Sequence, residues 1–128
     1  MLRGTDTSIS TQGVNKNNWV FGSSPASDKT AAAGFDGEMN ATLAVNYVTS
    51  TGSSGQVGRV IIGQIHANDD EPIRLYYRKL PNNSLGSIYF AHEPRYGFGS
   101  EQWYEMTGSR SNSATNPSDG IALDEKFS

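Results

Sequence analysis

A period of two is the feature that most narrows what this chain can fold into. Between residues 38 and 107, one short segment after another alternates apolar with polar side chains, and clusters of Gly, Ser, Asn and Pro separate them. Alternation at that period sends successive side chains to opposite faces of a strand, so each segment reads as a half-buried β-strand. Many short strands joined by turns belong to an all-β sandwich or barrel. Half-buried antiparallel strands bury their apolar faces best with two sheets face to face, so the expected fold is an antiparallel β-sandwich, a jelly roll. The 128 residues are the length of one domain, and the whole span 1–128 reads as a single one.

The clearest alternation runs from Glu38 to Thr49, with Met39, Ala41, Leu43, Val45 and Tyr47 on the face expected to be buried. Arg59–His66 is the next strand. Ile61, Gly63 and Ile65 lie on one side of it, and Val60, Ile62, Gln64 and His66 on the other. The stretch Asn68-Asp69-Asp70-Glu71-Pro72 is read as the turn that ends it. Ile73–Lys79 alternates again, placing Arg74, Tyr76 and Arg78 on one face. Ser87–His92 and Glu101–Thr107 are further strands, residues 109–120 a polar loop, and Lys126-Phe127 the start of a last strand. Ala31-Ala32-Ala33 favours a short helical turn over Thr30–Gly34.

Composition removes several classes of function. Ten basic against thirteen acidic residues give a net charge of −3, which argues against a chain-wide affinity for nucleic acid or an anionic membrane. The chain has no Cys, so disulfides, thiolate nucleophiles and Cys-ligated zinc are excluded. With only His66 and His92, a multi-histidine metal site is excluded too, and no metal or cofactor is expected. No apolar run reaches the ~18 residues of a membrane span, and Met1–Asp6 shows no signal-peptide core.

Three clusters could carry chemistry. Gln64 and His66, two apart on one strand, leave the same face roughly 6–7 Å apart. Two polar groups at the end of an otherwise apolar strand are either satisfied by local hydrogen bonds or a functional pair. Arg74, Tyr76 and Arg78 form a guanidinium row that could meet carboxylates, with Tyr76 as a stacking surface or hydroxyl donor; the alternative is an ordinary solvated strand face. The acidic run at 68–71 lacks the glycine and terminal glutamate of an EF-hand and reads as a plain turn. Asn15–Trp19 reads as a polar turn before a strand, with a sugar-binding loop as the sharper alternative. Neither a phosphate loop nor a G-x-S-x-G nucleophile motif is present.

Gln64-Ile65-His66 lies within VGRVIIGQIHANDDEPIRLYYRKL, residues 57–80, and this run resembles the central segment of the alginate lyases of polysaccharide lyase family 7. The resemblance extends through MLRGTDTSISTQGVNKNNWVF at residues 1–21 and through SIYFAHEP, EQWYEM and DGIALDEKF toward the C-terminus. Of the family's three blocks, Q-(I/V)-H is present; R-x-E-L-R and Y-F-K-A-G-x-Y-x-Q do not occur in these residues. The resemblance therefore implies a partial catalytic jelly roll, truncated at both ends, whose concave sheet forms a polysaccharide groove. It implies β-elimination at a uronate of alginate, with Gln64 as the group that neutralises the substrate carboxylate and His66 as the base. Imidazole, ordinarily titrating near ~6.5, is neutral at mildly alkaline pH and so able to accept a proton.

Ile65 leans the resemblance toward guluronate-containing blocks, with endo action. Arg3 extends the first block's strand by alternation alone. The family further implies a secreted bacterial enzyme, monomeric in its complete form, with alginate as its partner. The competing readings are a non-catalytic carbohydrate-binding jelly roll and a structural sandwich module. A sandwich short of strands has unpaired edges, so the 128 residues on their own are expected to be marginally stable or to aggregate.

Overall fold

A computed structural model describes residues 13–16, 18–67, 70–94 and 97–128. The chain divides into two compact units, residues 1–39 with 67–69, and residues 40–66 with 70–128.

In the first unit, strand β1 (Trp19–Val20) pairs in parallel with β2 (Gly34–Phe35), and helix α1 (Ala26–Ala31) connects them. The helix starts earlier than the alanine run suggests. Pro25 supplies a pre-set φ just before the first turn, and the Ala32 backbone is already extended. Ala33 then donates its N–H to Asn18 O at 2.8 Å, so strand pairing takes the last alanines away from the helix. The Trp19 ring packs flat against the strand: a Cβ placed on Gly34 would lie 3.2 Å from it, and one on Gly37 2.8 Å. Before β1, Asn18 donates its N–H to Asn15 O at 3.1 Å, and the Asn15 and Asn18 amides both donate to Gly13 O. Asn17 and Arg3 lie outside the described residues.

The second unit holds β3 (Leu43–Ala44), β4 (Arg59–Ala67) up to His66, β5 (Asp70–Arg78), β6 (Leu85–His92), β7 (Gln102–Thr107), β8 (Ile121–Ala122) and β9 (Lys126–Phe127). Five of these form one sheet in the order β4-β5-β6-β7, with β8 paired to the start of β6. β5 and β6 are antiparallel, pairing Tyr76 with Tyr89 and Tyr77 with Ile88; β6 and β7 are antiparallel with a register shift between Ile88 and Tyr89. β4 and β5 are separated by two residues, a connection too short for anything but an antiparallel hairpin.

Adjacent tyrosines on β5 show how alternation builds two cores. Tyr77 joins Ile88 and Val45, and Leu43, Val60, Ile62, Leu75 and Phe127 close around them. Because Leu43 and Phe127 belong to the antiparallel β3–β9 ladder, that ladder packs as a second layer over this face of the sheet. The Tyr77 hydroxyl donates to Ile121 O at 2.9 Å, so the buried phenol keeps its hydrogen bond. Tyr76, one residue earlier, joins Tyr89, Ala91 and Trp103 in a separate cluster.

The long strand expected over Glu38–Thr49 is corrected to the two residues of β3. Met39 is 80% and Tyr47 78% exposed; of the expected face only Val45 is buried, with Leu43 half-buried beside it. Alternation describes side chains, whereas a strand needs a backbone neighbour, and among the described residues only Lys126 and Phe127 supply one. The turn expected at 68–72 is also shorter, since β5 already begins at Asp70. On the far edge of the sheet β4 has no partner among the described residues, and Ile61 and Ile65 are about half exposed.

Gly58, at the entry to β4, is held by two backbone hydrogen bonds: its N–H to Thr49 O at 2.8 Å, and Lys79 N–H to its own carbonyl at 3.0 Å. Its φ of +72° is left-handed, and an added Cβ would overlap the Lys79 carbonyl oxygen, which is backbone and cannot swing aside. Gly58→Ala is therefore expected to cost about 2–5 kcal/mol from backbone strain plus overpacking, read as a lower urea midpoint at unchanged m-value. A midpoint equal to that of the parent would contradict this account of Gly58.

Candidate active site

Gln64 and His66 stand near the end of β4, both exposed, and as residues two apart in one strand they share a face. The strand forms because Val60 and Ile62, earlier on it, are anchored in the Tyr77 core, while its last residues run on beside the start of β5. That pairing brings a residue the sequence reading left aside up to His66: Glu71, whose Oε1 lies 3.7 Å from His66 Nε2. The signal was available in the hairpin, since a two-residue connection sets residues near its two ends side by side.

The guanidinium row is real as a register and different in its use. Arg74, Tyr76 and Arg78 oppose Ala91, Tyr89 and Ser87, so the three share one face of β5. Their surroundings, however, are protein. Arg74 Nη2 is 3.2 Å from Glu93 Oε2 and also pairs with Glu101, which places it between two carboxylates. Tyr76 is buried, stacked on Tyr89 at 5.4 Å and on Trp103 at 5.7 Å between ring centroids. The Arg59 guanidinium lies 5.1 Å from the centroid of the Tyr76 ring and that of Arg110 4.9 Å from the Trp103 ring, so two rings of the aromatic cluster each carry a cation.

Arg78 is only 4% exposed. It donates from Nε to Val57 O at 3.1 Å, from Nη1 to Arg110 O at 2.9 Å, and from Nη2 to Ser54 O. One planar fork thus ties the loop before β4 and the loop after β7 to β5. Tyr76 and Arg78 thus both serve the packing of this sheet. Both are covered, and the three donating nitrogens of Arg78 are engaged with backbone.

Burial pushes the Tyr89 phenol up, against the opposing pull of the Arg78 and Arg59 charges, and burial pushes Tyr77 up as well, with Glu125 adding to it. Both phenols accordingly stay protonated at neutral pH. Glu105 moves the other way. The Arg110 N–H and the Ser109 hydroxyl, each at 2.8 Å, hold its carboxyl below the usual range. A lowered folded value means that the stabilisation is present above the unfolded value and is lost as pH falls through the folded one. Acidification below the ordinary carboxylate range is thus expected to loosen the 108–111 turn, seen as a larger fall in the protection of the Arg110 amide, relative to its intrinsic exchange rate, in the parent than in Glu105→Gln. Equal acid sensitivity in both proteins would contradict it.

Among the described residues no group of three or more His, Asp or Glu side chains is placed to hold a metal ion, and no helix is long and apolar enough to cross a membrane. Asn68 and Asp69 of the acidic run lie outside the described residues. A shallow cavity of about 360 Å³ between the 80–83 turn and residues 112–114 is lined by Ser54, Val57, Leu80, Pro81 and asparagines, with no acid, base or cation in its wall. His66 and His92 are both exposed imidazoles, and of the two it is His66 that shares a strand face with Gln64.

An antiparallel sheet with a second β layer over one face is a β-sandwich of the jelly-roll class read from the alternation, and the solved structures it resembles are those of alginate lyases. The family model described as alginate lyase matches residues 2–128, and the chain belongs to that family. It is 62% identical over its whole length to an alginate lyase of Klebsiella pneumoniae, of which it covers 44%. A crystal structure of the alginate lyase from Klebsiella pneumoniae matches 98% of this chain at a TM-score of 0.89 and 61% identity, the match covering 47% of that chain. An exolytic PL7 alginate lyase from Zobellia galactanivorans matches 67% of this chain at a TM-score of 0.60 and 27% identity, and 33% of its own. The chain therefore spans less than half the length of these relatives.

Proposed function

We propose that the protein carrying this chain cleaves 1,4-linked uronates of alginate by β-elimination, with Gln64 and His66 at the reacting sugar. The observation that carries the reading is the coincidence of alginate lyase membership over residues 2–128 with an exposed amide and imidazole side by side on β4.

The chemistry asks for such a pair. The C5 proton of a uronate is next to a carboxylate, so its removal adds negative charge to a group already anionic. The Gln64 amide can donate to that carboxylate without changing its own charge, which stabilises the developing enolate. His66 accepts the C5 proton. The C5–H electron pair becomes the C4=C5 double bond, the C4–O4 bond breaks, and O4 leaves with a proton drawn from solvent or a phenol. Arg74, neutralised by Glu93 and Glu101, is left out of this step. Ile65 lies between the two groups in sequence and points to the opposite face, so it acts on them only through their position; on it rests the lean to guluronate-containing blocks. The enzyme is read as endo-acting, monomeric and secreted, since a polymer is met outside the cell.

The test is ultraviolet absorbance on guluronate-rich and mannuronate-rich alginate in parallel, with circular dichroism to establish folding. Only elimination creates the conjugated unsaturated uronate. The expected result is rising absorbance, faster on the guluronate-rich polymer, with products of several sugars appearing first. The test uses the whole protein that carries this chain: if it is folded and produces no absorbance the lyase reading is overturned, and alginate binding without absorbance supports a carbohydrate-binding module in its place.

A further inference from the structure

Glu71 contributes nothing to either core. Its carboxylate sits at the start of β5, half-exposed, with Oε1 3.7 Å from Nε2 of His66 on the neighbouring strand. We propose that Glu71 is a positioning residue for the base: it orients the His66 imidazole and stabilises the imidazolium that forms when the C5 proton arrives. This rests on His66 being the base.

The physical case is a change of charge at a fixed neighbour. Before proton transfer His66 is neutral and its interaction with Glu71 is weak; 3.7 Å is beyond a good hydrogen bond. After transfer the ring is a cation facing a carboxylate on an adjacent strand, and the attraction grows as the reaction proceeds. An interaction that strengthens toward the transition state raises kcat and leaves substrate binding nearly alone. Strand pairing sets the distance, because both residues are on backbone held in one sheet. The nearest cation along β5, Arg74, is already engaged by Glu93 and Glu101 and does not compete for Glu71. Among the described residues β4 has no neighbour on its other edge, and Glu71 is the carboxylate that the sheet brings within 4 Å of His66. The carboxylate also carries charge of the substrate's own sign, so it gains nothing from the substrate directly.

The experiment compares Glu71→Gln and Glu71→Asp with the parent and with His66→Ala, on alginate and on a C5-deuterated uronate oligomer. For Glu71→Gln the expected result is kcat lower by roughly tenfold, KM within about twofold, and a larger primary isotope effect, because proton abstraction becomes more fully rate-limiting. Glu71→Asp is expected to recover part of kcat. The isotope effect is the readout that a purely structural role leaves unmoved, and unchanged thermal melting of Glu71→Gln checks the fold. If His66→Ala is inactive while Glu71→Gln keeps the parent kcat and isotope effect, Glu71 has no such role and the base assignment stands. If His66→Ala retains full activity, both fall together.

Discussion

His66→Ala is expected to lower kcat/KM on alginate by about 10²–10⁴-fold, the range a positioned general base contributes. The loss should fall mainly on kcat, since the imidazole acts on a proton in transit rather than on the bound ground state. Melting should be unchanged, because His66 is exposed on an edge strand and packs in neither core. That separation makes the variant informative: activity disappears while circular dichroism and the melting midpoint stay as they were. Gln64→Ala is the companion. It removes a donor to the substrate carboxylate, so it should slow the reaction by about 10²–10³-fold, as loss of one charge-stabilising donor does elsewhere. A His66→Ala protein that still produces unsaturated uronate at the parent rate would remove His66 from the mechanism.

Arg78→Met is expected to destabilise the fold by about 3–5 kcal/mol, because buried backbone carbonyls lose their donor. The side chain spans three backbone carbonyls, Val57 O, Arg110 O and Ser54 O. Methionine fills similar volume and leaves those carbonyls without their donor, at about 1–3 kcal/mol for each that water cannot reach. Against a total stability of about 5–15 kcal/mol, that is a large share. Arg78→Lys should recover only part, because an ammonium cannot fan planar donors toward three separated acceptors. Urea denaturation of both variants decides the matter. If both keep the parent midpoint while alginate affinity falls, Arg78 contacts substrate and the structural assignment is wrong.

The fate of the Arg74, Tyr76 and Arg78 row shows where reading residues in order reaches its limit. A period of two states correctly that the three share a face, and the register against Ala91, Tyr89 and Ser87 bears it out. It does not state what lies over the face. Here Trp103, Arg59 and Arg110 cover Tyr76 and its neighbours, and Glu93 and Glu101 take up Arg74. All of these are remote in sequence from β5, so only folding could reveal the cover. The Glu38–Thr49 segment carries the same lesson in reverse. Its alternation is the most regular in the chain, yet Met39 and Tyr47 are in water because the burial of a face depends on a neighbouring layer.

By itself the sequence determined β4 to β7, four of the sheet's five strands, the all-β class, the exclusion of thiol and multi-histidine chemistry within these residues, and the placing of Gln64 and His66 together. These properties follow from side-chain period and residue chemistry, which are local and survive without knowledge of partners. Tertiary structure alone decided that Tyr77 and Tyr76 feed two different cores, that Arg78 ties loops to the sheet, and that Glu71 meets His66. Each of those depends on which backbone lies beside or above which, and pairing between segments far apart in the chain is the information a one-dimensional pattern does not contain.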